Sequence, residues 1–134
     1  KGSLLACQAV LPAMLEQKSG SIVLFSSSIA RRGAPESAAY AATKGGVLGL
    51  ARALALDHAR AGIRANAISP GITDTPQPRG NMSEADIYSR AGNIPLGRIG
   101  APEDMVEAAL FLLSDDASFV TGQDIRVNGG AGLF

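Results

Sequence analysis

Tryptophan is absent from the 134 residues, and cysteine and histidine occur once each, with only four phenylalanines and two tyrosines. The single Cys7 excludes an internal disulfide and makes an intracellular, cytoplasmic setting the simplest expectation. His58 falls near the far end of a long helical pattern and is read as a surface residue. No His/Cys/Asp/Glu cluster has ligand spacing, so no metal is expected. Net charge is missing too, because 12 basic residues meet 12 acidic ones. That balance gives no electrostatic grip on nucleic acid or an anionic membrane, and neither is expected as a partner. No apolar run approaches the roughly 20 residues of a membrane span. Asn81-Met82-Ser83 matches a glycosylation sequon, read as a chance match in an intracellular chain.

Alanine is abundant, and there are 16 glycines. Small side chains let helices approach a sheet, or each other, closely. The length suits one domain able to bury a core. Apolar residues from Ser3 to about Glu16 recur at helical spacing, with Pro12 predicted to kink or shorten the helix and Gly20 to stop it. Residues 21–27 read as a strand buried on both faces, as in a parallel sheet. Arg31 to Pro35 reads as a loop. A second helix is predicted from about Ser37 to Arg60, with Gly62 as its C-cap. Ile63–Ser69 is a strand stopped by Pro70-Gly71. Asp74–Gly97 is a long excursion with one short helix near Ser83–Ala91, and loops of that length are usually functional. A helix from about Pro102 to Leu113 and a strand over Asp124–Val127 complete the pattern. Strands alternating with helices imply parallel βαβ units, hence an α/β fold.

Within this pattern Tyr40 and Lys44 stand four residues apart, on one face of the second helix. An ammonium beside a phenol favours the phenolate, which makes Tyr40 a candidate general acid or base. Ser27 stands thirteen positions before Tyr40, at the end of the apolar run Ile22 to Phe25. A hydroxyl there can hydrogen-bond a carbonyl oxygen presented to the tyrosine. Ser26 and Ser28 flank it, and spacing alone leaves all three serines open. Arg31 and Arg32 either meet an anionic substrate group or, the favoured reading, sit solvated on a loop.

The ordered set resembles the short-chain dehydrogenase/reductase family across essentially the whole chain. It comprises the strand–serine unit, the Tyr40-Ala41-Ala42-Thr43-Lys44 helix, Asn66 to Gly71, Thr75, the Pro95 to Asp104 segment, and Thr121 to Gly130. The resemblance implies a Rossmann-like, doubly wound parallel sheet in three α/β/α layers, with residues 1–134 as the C-terminal half of one such domain. It selects Ser27 among the serines and makes Ser27, Tyr40 and Lys44 catalytic. Pro70, Gly71, Ile72 and Thr75 would meet the nicotinamide of NAD or NADP, and Lys44 its ribose. The implied reaction interconverts a carbonyl and a secondary alcohol of a small-molecule substrate. A homo-oligomer, dimer or tetramer, would pack the first helix and the Tyr40 helix against symmetry mates.

Family members also carry a strand–glycine-rich turn–helix unit for the cofactor pyrophosphate. Gly45-Gly46-Val47-Leu48-Gly49 lies inside a helix pattern, and Gly129-Gly130-Ala131-Gly132 precedes none, so neither supplies it. The fourth catalytic position of the family, an asparagine, is not matched, and Asn66 and Asn128 fall elsewhere in the pattern. The expectation is therefore that the sequence is part of a longer polypeptide. Two alternatives accompany the oxidoreductase reading: a non-catalytic fragment serving folding or assembly, and an epimerase or dehydratase using the same Tyr–Lys pair.

Overall fold

The computed structural model describes residues 1–80 and 82–133. The Asn81 sequon position lies outside the described residues. Three strands, β1 (Gly20–Phe25), β2 (Ile63–Pro70) and β3 (Asp124–Val127), form one sheet in the order β1-β2-β3. Both pairings are parallel, from Gly20↔Ile63 to Phe25↔Ile68 and from Ala67↔Asp124 to Pro70↔Val127. The helices are α1 (Gly2–Gln17), α2 (Ile29–Arg32), α3 (Ala38–His58), α4 (Pro76–Arg79), α5 (Glu84–Gly92) and α6 (Pro102–Leu113).

Alternation along β2 explains the layering, because successive side chains point to opposite faces. Ile63, Ala65 and Ala67 join Ile22 and Leu24 of β1 under Cys7 of α1 and Val47, Leu48, Ala51 and Leu54 of α3. Ile68 faces the other way, into a second core with Met105 and Leu112 of α6. The fold is thus the expected α/β arrangement, a parallel sheet with helices on both faces.

Several local expectations change. Pro12 sits inside α1, which continues to Gln17 rather than being shortened. The helix is stopped by Lys18 in the left-handed region (φ 52°), not by Gly20. Gly20 instead makes room for a side chain: a Cβ there would lie 2.6 Å from Met14 Sδ, so Met14 would have to shift. Strand β1 ends at Phe25, which is exposed, so the sheet is not covered on both faces at that end. Arg31 and Arg32 form the end of a helical turn rather than a loop. His58, the last residue of α3, is half-buried rather than exposed. The excursion after β2 holds two helices, α4 and α5, where one was expected.

The ends of the remaining helices follow their sequence signals. Helix α6 begins with Pro102, and Asp104 turns back to accept the Ala101 N–H at 2.6 Å. At its other end Arg64 of β2 donates to the carbonyls of Leu112 and Ser114, both at 2.9 Å. A guanidinium there satisfies terminal carbonyls and complements the helix dipole. Helix α5 starts with a reciprocal cap: Ser83 Oγ accepts the Asp86 N–H, and the Asp86 carboxylate accepts the Ser83 N–H. No helix among the described residues is long and apolar enough to cross a membrane.

Candidate active site

Parallel strands point their carboxyl ends at one rim, and ligands of open α/β sheets bind there. At this rim the chain leaving β1 stays tied to β2: the Ser26 N–H donates to Ile68 O at 2.8 Å and the Ser28 N–H to Pro70 O at 3.0 Å. The three consecutive serines then divide. Ser26 Oγ donates to the Lys44 carbonyl at 2.8 Å, joining β1 to α3. Ser28 Oγ donates to the Pro70 carbonyl at 2.9 Å, joining it to β2. Ser27 Oγ only accepts, from the Ile29 N–H at 3.2 Å, so its hydroxyl proton stays available. The flanking hydroxyls are structural and the middle one is not so committed, a distinction that spacing alone left open.

Tyr40 and Lys44 follow one turn apart on α3. The Lys44 ammonium stands 5.8 Å from the Tyr40 ring centroid and donates to the Phe25 carbonyl at 2.9 Å. It is therefore positioned by the end of β1 as well as by its own helix. The phenol is 42% exposed, accessible enough to meet a ligand.

Ser27, Tyr40 and Lys44 all border one cavity of about 580 Å³. Pro70, Gly71, Ile72 and Thr75 border the same cavity, so the expected catalytic and nicotinamide-contacting residues come to one place. Gly71 is constrained where the backbone leaves β2: a Cβ would lie 3.0 Å from Asn128. The Gly71 N–H is used by Val127 O, and Ile72 O accepts from the Gly100 N–H. The Ile72 N–H, by contrast, donates to no described residue, which leaves a backbone donor at the rim for a polar ligand group. The residues present thus fit the amide end of a nicotinamide. Among the described residues no group of His, Cys, Asp or Glu could hold a metal ion.

Other assignments differ from expectation. Arg31 remains half-exposed but is paired: its Nε donates to Asp124 Oδ2 at 2.6 Å, while Ser69 Oγ donates to Asp124 Oδ1 at 2.6 Å. This trio ties the turn after Ser27 to both β2 and β3, and the Asp124 side chain is 3% exposed. Arg32 borders the cavity. So does Arg90, which sequence reasoning missed because it lies on α5, where no motif points to it. Asn66 is buried and structural, bonded to Val120 O and the Gln123 N–H. Asn128 likewise closes the glycine-rich turn through Ala131 O and the Gly130 N–H.

The outer part of the site, residues 74–100, is held by exposed ion pairs. Arg79 grips Asp74, with Nη2 at 2.7 Å from Oδ2, and holds that carboxyl below the usual range. Arg98 forks onto Asp104 at 2.6 and 2.8 Å, and with the Ala101 N–H holds it well below that range.

Similarity to known proteins follows the same outline. The family described as Enoyl-(Acyl carrier protein) reductase matches residues 1–132. The 2-(S)-hydroxypropyl-CoM dehydrogenase 3 of Xanthobacter autotrophicus is 43% identical over 134 residues, 96% of this chain and 52% of that protein. A crystal structure of a 3-oxoacyl-(acyl-carrier protein) reductase from Brucella melitensis superposes with a TM-score of 0.93 at 34% identity. It covers 99% of this chain and 50% of its own. A second such reductase from Brucella melitensis, with bound NAD, gives 0.87 at 33% identity over 99% of this chain and 48% of its own. The chain spans about half the length of the curated relatives it matches.

Proposed function

The chain belongs to the short-chain dehydrogenase/reductase family, and from that premise we propose that it forms the catalytic wall of an NAD(P)(H)-dependent oxidoreductase interconverting a carbonyl and a secondary alcohol. The observation that carries this reading is the convergence of Ser27, Tyr40 and Lys44 with the Pro70 to Thr75 turn on one cavity. Ser27, with its proton uncommitted, donates to the carbonyl oxygen and polarises it. Tyr40 Oη gives its proton to that oxygen in reduction and removes it in oxidation. Lys44, anchored on Phe25 O, keeps a positive charge beside the phenol, which favours the phenolate. A bound nicotinamide supplies the hydride in reduction and takes it in oxidation. Pro70, Gly71, Ile72 and Thr75 would hold its amide end and Lys44 its ribose; nothing in these residues chooses between NAD and NADP.

Residues 1–134 are, on this reading, the C-terminal half of a single Rossmann-type domain in a cytoplasmic enzyme. Assembly into two or four copies belongs to the same reading. It is supported by Leu4, Leu5, Val10 and Leu15 of α1, each more than two-fifths exposed. Gly45, Gly46 and Gly49 of α3 also support it, since a Cβ on any of them would meet nothing within 4 Å. The half-length match and the unpaired outer edge of β1 favour a second reading for the 134 residues taken alone, a non-catalytic folding or assembly unit.

The test is isotope transfer. The protein as its gene encodes it is incubated with reduced nicotinamide deuterated at C4, on either face, and a set of simple ketones. Deuterium on the carbinol carbon of the product is expected. Consumption of neither NADH nor NADPH with any ketone would leave the non-catalytic reading.

A further inference from the structure

Resting on the oxidoreductase reading, we infer that the substrate carries an anionic group and that Arg32 and Arg90 bind it. Three residues lining the cavity carry formal charge at neutral pH, Arg32, Lys44 and Arg90, and all three are positive. Among the described residues no aspartate or glutamate lines it. A cavity lined by one sign of charge favours a ligand of the other sign. Lys44 is already engaged with the Phe25 carbonyl. The two arginines are not: among the described residues neither guanidinium donates a hydrogen bond or forms an ion pair. Arg31, Arg64, Arg79 and Arg98 differ, each guanidinium being bound to a carboxylate or to carbonyls. Among the described residues Arg52, Arg60 and Arg126 also lack such side-chain partners, but they lie outside the cavity lining, so location is what distinguishes Arg32 and Arg90.

The nearby acids are otherwise occupied. Asp74 is held by Arg79. Asp86, one turn before Arg90 on α5, accepts the N–H and O–H of Ser83 and interacts with Arg90 only at a distance. Arg32 ends α2, four residues after Ser28, and its Cδ lies 3.6 Å from where a side chain on Gly132 would begin. The two guanidinium groups therefore come from different elements, one beside the serine turn and one from the outer excursion. A guanidinium presents paired N–H donors that suit a carboxylate, sulfonate or phosphate. The group is a carboxylate on the carbonyl compound itself or a phosphate on a thioester carrier; the chemistry at the arginines is shared.

The test uses the protein as its gene encodes it and a panel of ketones in matched pairs. The pairs are β-keto acids against their ethyl esters, a ketophosphonate against its diethyl ester, and β-ketoacyl-CoA thioesters against N-acetylcysteamine thioesters. The anionic member of at least one pair is expected to have the higher kcat/KM. Arg32→Gln and Arg90→Gln should each lower that preference about tenfold, through KM. Arg32→Lys and Arg90→Lys should restore part of it, and Arg60→Gln should leave it as in the wild type. Preference for the free acids would place the anion on the substrate, and preference for the CoA thioesters alone would place it on the carrier. Neutral members turned over as well as anionic ones would overturn the inference while leaving the oxidoreductase reading intact. So would a loss of cofactor affinity in the glutamine variants without a change in substrate preference, because the arginines would then serve the cofactor phosphates. No turnover of any member with either cofactor would overturn both.

Discussion

On the sheet side of the cavity, Ser26, Ser28 and Ser69 are buried, and each hydroxyl reaches across to another element. On the outer side, residues 74–100 bury Ile87 and Ile94 and reach Gly129 O through the Leu96 N–H. Their ion pairs among the described residues are exposed ones, Arg79–Asp74 within the excursion and Arg98–Asp104 at its end, beside the parallel bridge Thr73↔Gly100. The first kind of contact is shielded from water and costs a buried polar group its partner if broken. The second is exposed, screened by salt and worth little pair by pair. On the proposed function, chemistry and recognition divide in the same way. Ser27, Tyr40 and Lys44 stand on the closely tied side, where the proposed proton transfer needs a short, fixed distance. Arg90 stands on the loosely tied side, where substrates of different shape can be accommodated and where local opening is cheap.

Cutting one side at a time sharpens this contrast. The largest effect is expected on turnover: Ser27→Ala should reduce kcat by about 10²-fold or more, while thermal unfolding stays near that of the wild type. Ser26→Ala, which removes only the Lys44 carbonyl partner, should lower stability and turnover together. Leu112→Ala, in the fully buried second core, should cost about 2–5 kcal/mol in denaturant unfolding. Asp124→Ala should cost about 2 kcal/mol, since it strands Ser69 Oγ and releases Arg31. A loss as small as that of an exposed pair would mean that the Arg31–Asp124–Ser69 trio does not hold the serine turn.

The smallest effects belong to the outer side. Arg98→Gln should barely move the unfolding midpoint at neutral pH. Its pair, like Arg79–Asp74, has a pH signature instead. Both carboxyls are held below their ordinary value of 3.8, so their contribution is present above that pH and lost as pH falls through the lower folded values. Hydrogen exchange of residues 74–100 should accelerate as pH falls below 3.8, after correction for intrinsic rates, before residues 20–28 respond. Equal responses would erase the distinction between the two sides.

The regular elements were legible because their signals are local. Pro102 with Asp104 starts α6 on the expected residue, and Gly62, at φ 77°, closes the turn after α3. The stop of α1 was misplaced because Lys18 adopts a conformation usually left to glycine, whereas Gly20 packs against Met14 of the last turns, a side-chain contact that periodicity does not reveal. Convergence of Ser27, Tyr40, Lys44 and Pro70 to Thr75 was legible because three motifs fall at the carboxyl ends of adjacent strands or on the helix between them. Choosing among Ser26, Ser27 and Ser28 by hydrogen bonding required the positions of the Lys44 and Pro70 carbonyls. The ion pair of Arg31 was not legible for a similar reason: its partner Asp124 lies 93 residues away. Arg90 belongs to no motif, and only the folding of the excursion over the rim brings it to the cavity.

The central claim is that Tyr40 moves the proton in this cavity, and one comparison tests it most directly. Ketone-dependent oxidation of NADH and NADPH by the protein as its gene encodes it is measured beside that of Tyr40→Phe, with both checked for the same fold by circular dichroism. The account predicts a fall in kcat of about 10²–10⁴-fold in a variant that remains folded and still binds nicotinamide. A folded Tyr40→Phe protein that keeps wild-type turnover would contradict it.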